Sequence, residues 1–396
     1  MNITNNALRS AILAAFALLP GMGTAQDTIK LGSTVPFSGP ASAYGTIGTA
    51  MERYFGEVNA KGGINGRKVE FIVLDDGYSP PKAVEQVRKL VEREEVLAMV
   101  ATLGTPPNSA IQPYLNAKKV PHLFINSGAS KWNDPEAFPW SMGWQPDYRN
   151  EGIIFAQYIK DTHTDGKVGV LYQNDDFGKD YLEGLREGLG DKADMIVAAE
   201  SYEVSDPTVD SQMLVLQSAG ADVLVNASSP KFAAQAIRKA HELSWKPVHL
   251  LANISNSVAS VLEPAGLEAS EGLITTLFFK DPSDPQWNED PEMVEWRRFM
   301  TESYPDGNQN SGLMVIAYGL AKSTELVLQQ AGDDLSRENI MKVAASLDDV
   351  RIPMLLPGIT LATGADDFAP IEAMQLARFE GGRWVLFGDI IDASAE

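Results

Sequence analysis

The chain has 396 residues, of which 44% are hydrophobic and 21% are charged, a composition typical of globular proteins and not of disordered ones. Its length predicts about two domains, each able to bury a hydrophobic core. The formal net charge of −21 argues against a nucleic-acid partner, because phosphates require a basic surface. Cysteine is absent from the sequence, which excludes disulfides and thiolate metal sites.

The N-terminus has the pattern of a secretory signal. Arg9 is the one charged residue before Asp27, and the apolar run 11–22 is followed by the small residues Gly23-Thr24-Ala25. This pattern predicts a signal peptide over residues 1–25, whereas the alternative is a buried N-terminal helix. Because no later run reaches the roughly 18 apolar residues of a membrane span, and a lipid anchor requires a cysteine, we expect a soluble periplasmic product.

The first part of the chain alternates β-rich runs with amphipathic runs. The β-rich runs are continuous and rich in Val, Ile and Leu, which is typical of strands covered on both faces. Pro113 is expected to kink or shorten the third helix. The predicted strands are 28–37, 67–76, 96–104 and 120–126, and the predicted helices are 45–60, 80–94 and 109–119.

The pattern then restarts with a helix at 148–162. The C-terminal region breaks the rhythm, with two helices at 290–303 and 310–330 and a hairpin around Gly381-Gly382. The predicted strands of this second part are 167–175, 195–202, 221–228, 247–254 and 273–279, and its further helices are 179–190, 207–219 and 231–243.

Two successive β-α-β series predict an α/β protein made of two doubly wound, mostly parallel lobes joined by a hinge. Ligands of open parallel sheets bind outside the carboxyl ends of the strands, so the site is expected in the crevice between the lobes. The strand-to-helix junctions predicted to face that crevice are 38–45, 104–108, 126–132, 175–177, 228–231 and 254–257.

Residues suited to catalysis are few. The four histidines, at 122, 163, 241 and 249, show no metal-binding spacing, and packed or solvated roles are favoured for them. The sequence contains no G-x-S-x-G elbow, dinucleotide fingerprint or Walker loop. The acid pairs Asp75-Asp76 and Asp175-Asp176 suit helix capping and turns better than metal or acid/base chemistry. We therefore expect no enzyme activity, cofactor or metal.

The junctions carry hydroxyl, amide and aromatic side chains instead. A helix N-terminus offers free N–H groups to a carboxylate, and the hydroxyls of Thr105 and Ser130 could complete such a cradle. Aromatic rings, among them Trp132 and Phe177, would wall the apolar part of a small ligand. The alternative, that these junction residues serve only as helix caps and core aromatics, is equally open.

Three motifs add a resemblance to a known family. Ser38-Gly39-Pro40 precedes Tyr44-Gly45, the turn KGGINGRK spans 61–68, and a strand ends at Asp75-Asp76. Together they resemble the periplasmic solute-binding proteins of branched-chain amino acid ABC transporters, from about Thr28 to the end. The resemblance implies the type I periplasmic binding fold, as in leucine-binding protein, and a monomeric, non-catalytic receptor that closes on a small-molecule ligand and docks on a membrane permease.

The resemblance also assigns site residues. In the family a hydroxyl after the third strand and a small-Ala-Ser/Thr loop after the fourth hold the ligand carboxylate. Aromatic residues line the pocket from both lobes, and a second-lobe acid faces the ligand ammonium. The positions of this chain that the resemblance and the surrounding junctions assign to ligand binding are Tyr44, Thr105, Ser127, Ala129, Ser130, Trp132, Phe177, Ser229 and Ile254.

Departures from the family pattern shape the expected ligand. The position of the ammonium-binding acid holds Ile254, between Asn253 and Ser255, and the loop that ends at Trp132 resembles that of relatives taking up aromatic acids. An ammonium without a paired charge would be costly to desolvate. We expect a carboxylate ligand with an apolar or aromatic body, the alternatives being a branched-chain or other amino acid and a sensor role for the same fold.

The resemblance also predicts the domain boundaries. Lobe one is expected to comprise 26–144 and 278–372. Lobe two is expected to comprise 145–277 and 373–396.

Overall fold

The computed structural model describes residues 28–392, so the predicted signal peptide, residues 1–25, lies outside the described residues. The first of two sheets contains five parallel strands in the order β2-β1-β3-β4-β5. Its strands are β1 (Ile29–Val35), β2 (Val69–Asp75), β3 (Ala98–Val100), β4 (His122–Ile125) and β5 (Ser141–Gly143), with helices α1 (Gly45–Ala60), α2 (Pro80–Glu92) and α3 (Thr105–Ala117).

The second sheet contains seven strands in the order β12-β11-β10-β9-β8-β6-β7. Its strands are β6 (Val168–Gln173), β7 (Ile196–Tyr202), β8 (Val223–Ala227), β9 (Val248–Leu251), β10 (Ile274–Leu277), β11 (Ala373–Glu380) and β12 (Arg383–Asp392). Its helices are α4 (Tyr148–Thr162), α5 (Asp176–Leu189), α6 (Asp210–Ser218) and α7 (Pro230–Glu242), followed by the short α8 (Glu263–Ala265) and α9 (Leu267–Ser270).

Three more helices, α10 (Pro291–Ser303), α11 (Gly312–Ala331) and α12 (Arg337–Ala344), lie between β10 and β11 in the chain. Both α10 and α11 pack against α1 of the first sheet. Neighbouring strands of the second sheet pair in parallel from β6 to β10, whereas β11 and β12 are antiparallel. The predicted fold class, two doubly wound and mostly parallel lobes, is confirmed; the exact lobe boundaries remain a prediction.

Some elements differ from the prediction for identifiable reasons. Helix α3 begins at Thr105 instead of 109, because Pro106 and Pro107 occupy its first turn, where a missing N–H removes no helical hydrogen bond. Pro113 lies inside the same helix without ending it. Strand β5 was not predicted, since three residues carry too little periodicity to be recognised. The eight-residue helix α12 was not predicted either. Within residues 28–392, no helix combines the length and apolar character needed to cross a lipid bilayer.

Helices α4 and α5 pack closely because a glycine lies at their contact. A Cβ atom added to Gly184 would lie 2.0 Å from the carbonyl oxygen of Arg149. Any side chain at this position would therefore push the two helices apart. The spacing matters for function, because Tyr148 on α4 and Phe177 on α5 both line the cavity described below.

We predict that Gly184→Ala lowers the melting temperature, by an overpacking cost of about 1–3 kcal/mol. Gly56→Ala is the matched control, because Gly56 is an exposed glycine of α1 whose added Cβ would meet no atom within 4 Å. The control should be neutral or stabilising by up to about 1 kcal/mol, since alanine favours the helix. Thermal unfolding followed by circular dichroism measures both, and equal shifts would contradict the packing argument.

Candidate functional site

A cavity lies between the two lobes, where the carboxyl ends of their parallel strands face each other. Including its opening to solvent, the space measures about 460 Å³. Each of the six predicted junctions contributes at least one wall residue. The cavity is lined by Tyr44, Ile47, Tyr78, Leu103, Gly104, Thr105, Asn126, Gln145, Tyr148, Phe177, Ser229, Ile254, Leu313 and Ile316.

The N-terminus of α3 presents Thr105 to the cavity. Pro106 and Pro107 have no N–H, so the first three residues of this helix offer the backbone N–H of Thr105 alone. The Thr105 hydroxyl lies 2.7 Å from the Ser127 hydroxyl. Ser127 also accepts a hydrogen bond from the Trp132 indole N–H at 3.0 Å. Ser127 and Trp132 therefore support Thr105 from behind and are not themselves among the lining residues.

Asn126, which follows β4, brings a polar amide to the cavity wall. The residue is 7% exposed, and its Nδ2 is buried without a hydrogen-bond partner among the described residues. Buried polar groups are nearly always paired, so an unpaired amide at a cavity wall indicates a missing partner. A second amide, Gln145, is oriented by donating from Nε2 to the Tyr148 hydroxyl at 2.9 Å.

Aromatic rings form much of the remaining wall. Tyr148 packs edge-on against Phe177, with ring centroids 4.9 Å apart. The Tyr78 ring lies directly over Gly104, where an added Cβ would come within 2.4 Å of the ring and where the φ angle is +94°. Burial raises the pKa values of Tyr44, Tyr78 and Tyr148 well above the ordinary tyrosine value. These phenols are therefore neutral hydrogen-bonding groups at physiological pH.

None of the described residues that line the cavity carries a charged side chain. Asp175 and Asp176 lie at an adjoining opening beside Thr105. Asp175 caps α5 by accepting from the Gly178 N–H at 3.3 Å, and burial raises its pKa. Asp75 of the other acid pair accepts from the Ser38 hydroxyl at 2.7 Å and so holds the first junction.

Ile254 stands on the wall of lobe two. Its carbonyl oxygen accepts a hydrogen bond from the Tyr44 hydroxyl of lobe one at 3.4 Å. The flanking polar residues point elsewhere: the Ser255 hydroxyl donates to the Ser228 carbonyl at 2.6 Å, and the Asn253 amide nitrogen lies 3.6 Å from the Met374 sulfur. This segment thus contributes an apolar side chain and a carbonyl oxygen to the crevice.

A cluster of polar contacts joins the lobes beside the cavity. The Ser130 backbone N–H and hydroxyl donate to the two carboxylate oxygens of Asp180 at 2.8 and 3.1 Å. Lys131 pairs with Asp176 at 3.1 Å. Burial raises the pKa of the Asp180 carboxyl to about 7. We call these four residues the clasp.

The structure places five of the nine predicted ligand-binding residues on the cavity wall: Tyr44, Thr105, Phe177, Ser229 and Ile254. The other four, Ser127, Ala129, Ser130 and Trp132, lie outside the lining.

Sequence reasoning missed several wall residues. Tyr78 follows the Asp75-Asp76 strand end, a position that could have been recognised as a further junction. Asn126 lies inside a predicted junction but was not singled out. Leu313 and Ile316 on α11 carry no sequence signal, because they are ordinary apolar residues of a buried helix.

The histidines do not form a reactive centre. His122 is buried beside the Thr102 hydroxyl, 2.6 Å away, and burial lowers its pKa to about 3. Burial likewise lowers the pKa of His249 to about 3. Within residues 28–392, no group of three or more His, Asp or Glu side chains is arranged to hold a metal ion.

Comparison with known sequences identifies the family. The sequence profile described as periplasmic binding protein matches residues 28–383. Leu/Ile/Val-binding protein homolog 7 of Brucella suis biovar 1 is 28% identical over 251 residues, or 59% of this chain and 61% of that protein, so the match spans less than two thirds of that relative. The leucine-, isoleucine-, valine-, threonine-, and alanine-binding protein of Pseudomonas aeruginosa is 24% identical over 340 residues, 80% of this chain and 84% of that protein.

Solved structures share the fold. A branched chain amino acid ABC transporter protein from Thermus thermophilus with bound valine superimposes with a TM-score of 0.83 at 18% identity, covering 92% of this chain and 97% of that one. A fatty acid ABC transporter substrate-binding protein from Thermomonospora curvata superimposes with a TM-score of 0.77 at 23% identity, covering 93% of this chain and 94% of that one.

Since the profile match extends over most of the chain, the predicted resemblance is confirmed: this protein belongs to the periplasmic binding protein family and is of the leucine-binding-protein-like, type I kind.

Proposed function

We propose that this protein captures a small ligand with a carboxylate head and an apolar, aromatic or aliphatic, body between its two lobes. It would then deliver the ligand to the membrane permease of an ABC importer. The proposed site of action is the periplasm, the active form is a monomer, and no covalent chemistry is involved. The single observation that carries the ligand assignment is the uncharged wall of the cavity, with the unpaired Asn126 amide on the lobe-one side.

Three lobe-one groups suit the carboxylate head. The N–H of Thr105 at the positive end of α3, the Thr105 hydroxyl and the unpaired Asn126 Nδ2 all belong to the cavity wall. Leaving a buried donor unpaired costs about 1–3 kcal/mol, so an acceptor on the ligand would stabilise the site by pairing it. Neutral donors of this kind hold carboxylates at helix N-termini without a cation.

The rest of the wall suits an apolar body. Apolar side chains from three parts of the chain, Leu103, Phe177 and Ile254, enter the same cavity. An ammonium group here would be desolvated without a paired charge, which is unfavourable. This argument favours a simple organic acid over an amino acid.

Amino-acid binding remains the second candidate function. It is supported by the Pseudomonas aeruginosa relative, named for five amino acids, and by the valine bound to the Thermus thermophilus protein. The fatty acid protein of the same fold supports the first candidate. For an amino acid, Asp175 beside the cavity would have to supply the charge that the wall lacks.

Lobe closure would then depend on the clasp. The two hydrogen bonds to Asp180 involve a buried carboxyl and are worth more than the Lys131–Asp176 pair, in which both side chains are at least a third exposed. Exposed ion pairs contribute only about 0–1 kcal/mol. Asp180 is therefore the group expected to hold the closed state.

The ligand class is tested by a thermal-shift screen of phenylacetate, benzoate and octanoate against leucine and valine. Binding stabilises the native state by mass action, so a true ligand raises the melting temperature. We expect shifts with at least one simple acid and none with the amino acids. A shift with leucine or valine alone would overturn the simple-acid assignment in favour of the second candidate.

Thr105→Val and Asn126→Leu should each weaken binding of the acid found in that screen by about 1–3 kcal/mol, because each removes one polar partner of the head group. Calorimetric titration measures the loss. Thr162→Val, an exposed position at the end of α4, is the control and should bind normally. Unchanged affinity in both cavity variants would place the carboxylate elsewhere.

Asp180→Ala should open the crevice, because it removes both acceptors of Ser130. The expected results are a larger radius of gyration by small-angle X-ray scattering and weaker ligand binding. Glu183→Ala, an exposed acid on the same helix, removes the same charge and should leave both unchanged. Equal behaviour of the two variants would show that the clasp does not hold the closed state.

A further inference from the structure

Glu151 is a buried acid whose hydrogen bonds lead to the wall of the ligand cavity. It lies in the first turn of α4 and is 0% exposed. Its Oε1 accepts from the Thr276 hydroxyl at 2.7 Å and from the Asn253 N–H at 3.1 Å. Its Oε2 contacts the Tyr181 hydroxyl. These partners are hydroxyl and backbone groups, with no cation among them.

The Tyr181 contact reaches the aromatic part of the cavity. The Tyr181 ring stacks on Tyr148, with centroids 5.4 Å apart and an interplanar angle of 25°. It also packs edge-on against Phe177 at 5.6 Å. Both of those rings line the cavity, whereas Tyr181 and Glu151 lie behind it. Displacing the Tyr181 hydroxyl would therefore displace two wall residues.

The other two contacts reach the opposite part of the lobe-two wall. Asn253 begins the single turn Asn253–Ser255, and the next residue, Ile254, lines the cavity and accepts the Tyr44 hydrogen bond from lobe one. Thr276 lies in β10, immediately before the chain leaves the second sheet at Leu277. One carboxyl group thus ties together helix α4, helix α5, this turn and this strand.

We infer that Glu151 is a positioning residue of the ligand site, which acts as a neutral carboxylic acid to hold the aromatic wall of α5 and the Asn253–Ser255 turn in place for the ligand. The inference rests on the proposed ligand-binding function for its biological meaning. The geometric role itself concerns the ligand-free protein and can be tested without a ligand.

Complete burial favours the neutral form of Glu151 over the carboxylate. An unpaired carboxylate in a dry interior is costly. In the neutral acid, Oε1 accepts from Thr276 and Asn253. With the proton on Oε2, the hydrogen bond that a carboxylate would accept from the Tyr181 hydroxyl is reversed, and Oε2 donates to the Tyr181 oxygen. In support, burial raises the pKa of Glu151 to about 8.

The largest influences on the pKa of Glu151 are burial and its hydroxyl and backbone partners, with no charged group among them. Two phenols, Tyr181 on α5 and Tyr148 on α4, interact electrostatically with Glu151. The turn Asn253–Ser255 and strand β10 contain no titratable residue.

The pH dependence follows from the direction of this shift. Because the native pKa lies above the ordinary glutamate value, the native state binds the proton more tightly than the unfolded state does. The contribution of Glu151 is therefore fully present at acidic pH, below the ordinary glutamate value, and declines as the pH rises through about 8. The wall should loosen under alkaline conditions.

Glu151→Gln and Glu151→Leu test the inference. Glutamine reproduces the neutral acid, with its oxygen accepting from Thr276 and Asn253 and its amide donating to Tyr181, whereas leucine keeps the volume and loses every hydrogen bond. Hydrogen exchange of the ligand-free protein is followed at peptide 251–257, with peptide 80–92 of α2 as internal reference. Relative to that reference, we expect exchange about fivefold faster or more in Glu151→Leu, and wild-type rates in Glu151→Gln, at about pH 7.

At about pH 9, hydrogen exchange of peptide 251–257 should become faster in the wild type but stay slow in Glu151→Gln, since only the wild type has a carboxyl group at position 151 that can ionise. This comparison tests the role of Glu151 even if the leucine variant does not fold. Thr276→Val, which removes one hydroxyl, should partly increase the exchange rate of the same peptide. The inference would be overturned if the wild type and Glu151→Leu exchanged at equal rates. It would also be overturned if Glu151→Gln exchanged as fast as the leucine variant. A wild type that is as protected as Glu151→Gln at the higher pH would overturn it too.

A binding measurement separates this inference from the proposed function. With phenylacetate as the probe, affinity should be retained within about threefold in Glu151→Gln and weakened about tenfold or more in Glu151→Leu. If phenylacetate fails to bind the wild type, that result counts against the proposed ligand class, and the exchange data still decide the role of Glu151. Wild-type affinity in Glu151→Leu would show that Glu151 does not position the site.

Discussion

The parallel direction of the strands is the constraint on which the site depends. All five strands of the first sheet and strands β6 to β10 of the second run parallel to their neighbours. The connections from these strands to the following helices therefore leave each sheet at the same edge. With the two edges facing each other, junctions far apart in sequence enter one cavity. Tyr44 and Ile254 are 210 positions apart and share a hydrogen bond across it. The cavity is thus a consequence of the topology before any particular side chain is considered.

The cost of burying charge then decides what the cavity can do. Its described lining carries no ionic side chain, and its phenols are kept neutral by burial. Acids close to it, Glu151 behind the wall and Asp180 in the clasp, have raised pKa values for the same reason. A ligand charge without a partner would be costly to desolvate in such a cavity.

Part of the cavity wall could be predicted, because strand ends are visible as changes in composition. The hydroxyl of Thr105 and the ring of Phe177 were found from their positions after apolar runs, and both reach the cavity. Ser130 had the same kind of position, but its hydroxyl and N–H are engaged by Asp180 of the other lobe. That contact could not be predicted, since it depends on which helix of lobe two lies opposite a loop of lobe one. Asn126 was missed because the lack of a partner for a polar group is a property of its surroundings.

By itself the sequence determined the order of most strands and helices, the fold class, the family and the junctions that meet at the crevice, because apolar periodicity and short motifs are local properties of the chain. Only the tertiary structure decided which side chains at those junctions face the cavity and which face each other. It also revealed Glu151, a residue that looks like an ordinary helical acid in the sequence. Its role depends on three hydrogen-bond partners 30, 102 and 125 positions away, and burial and pairing at such separations are set by packing alone.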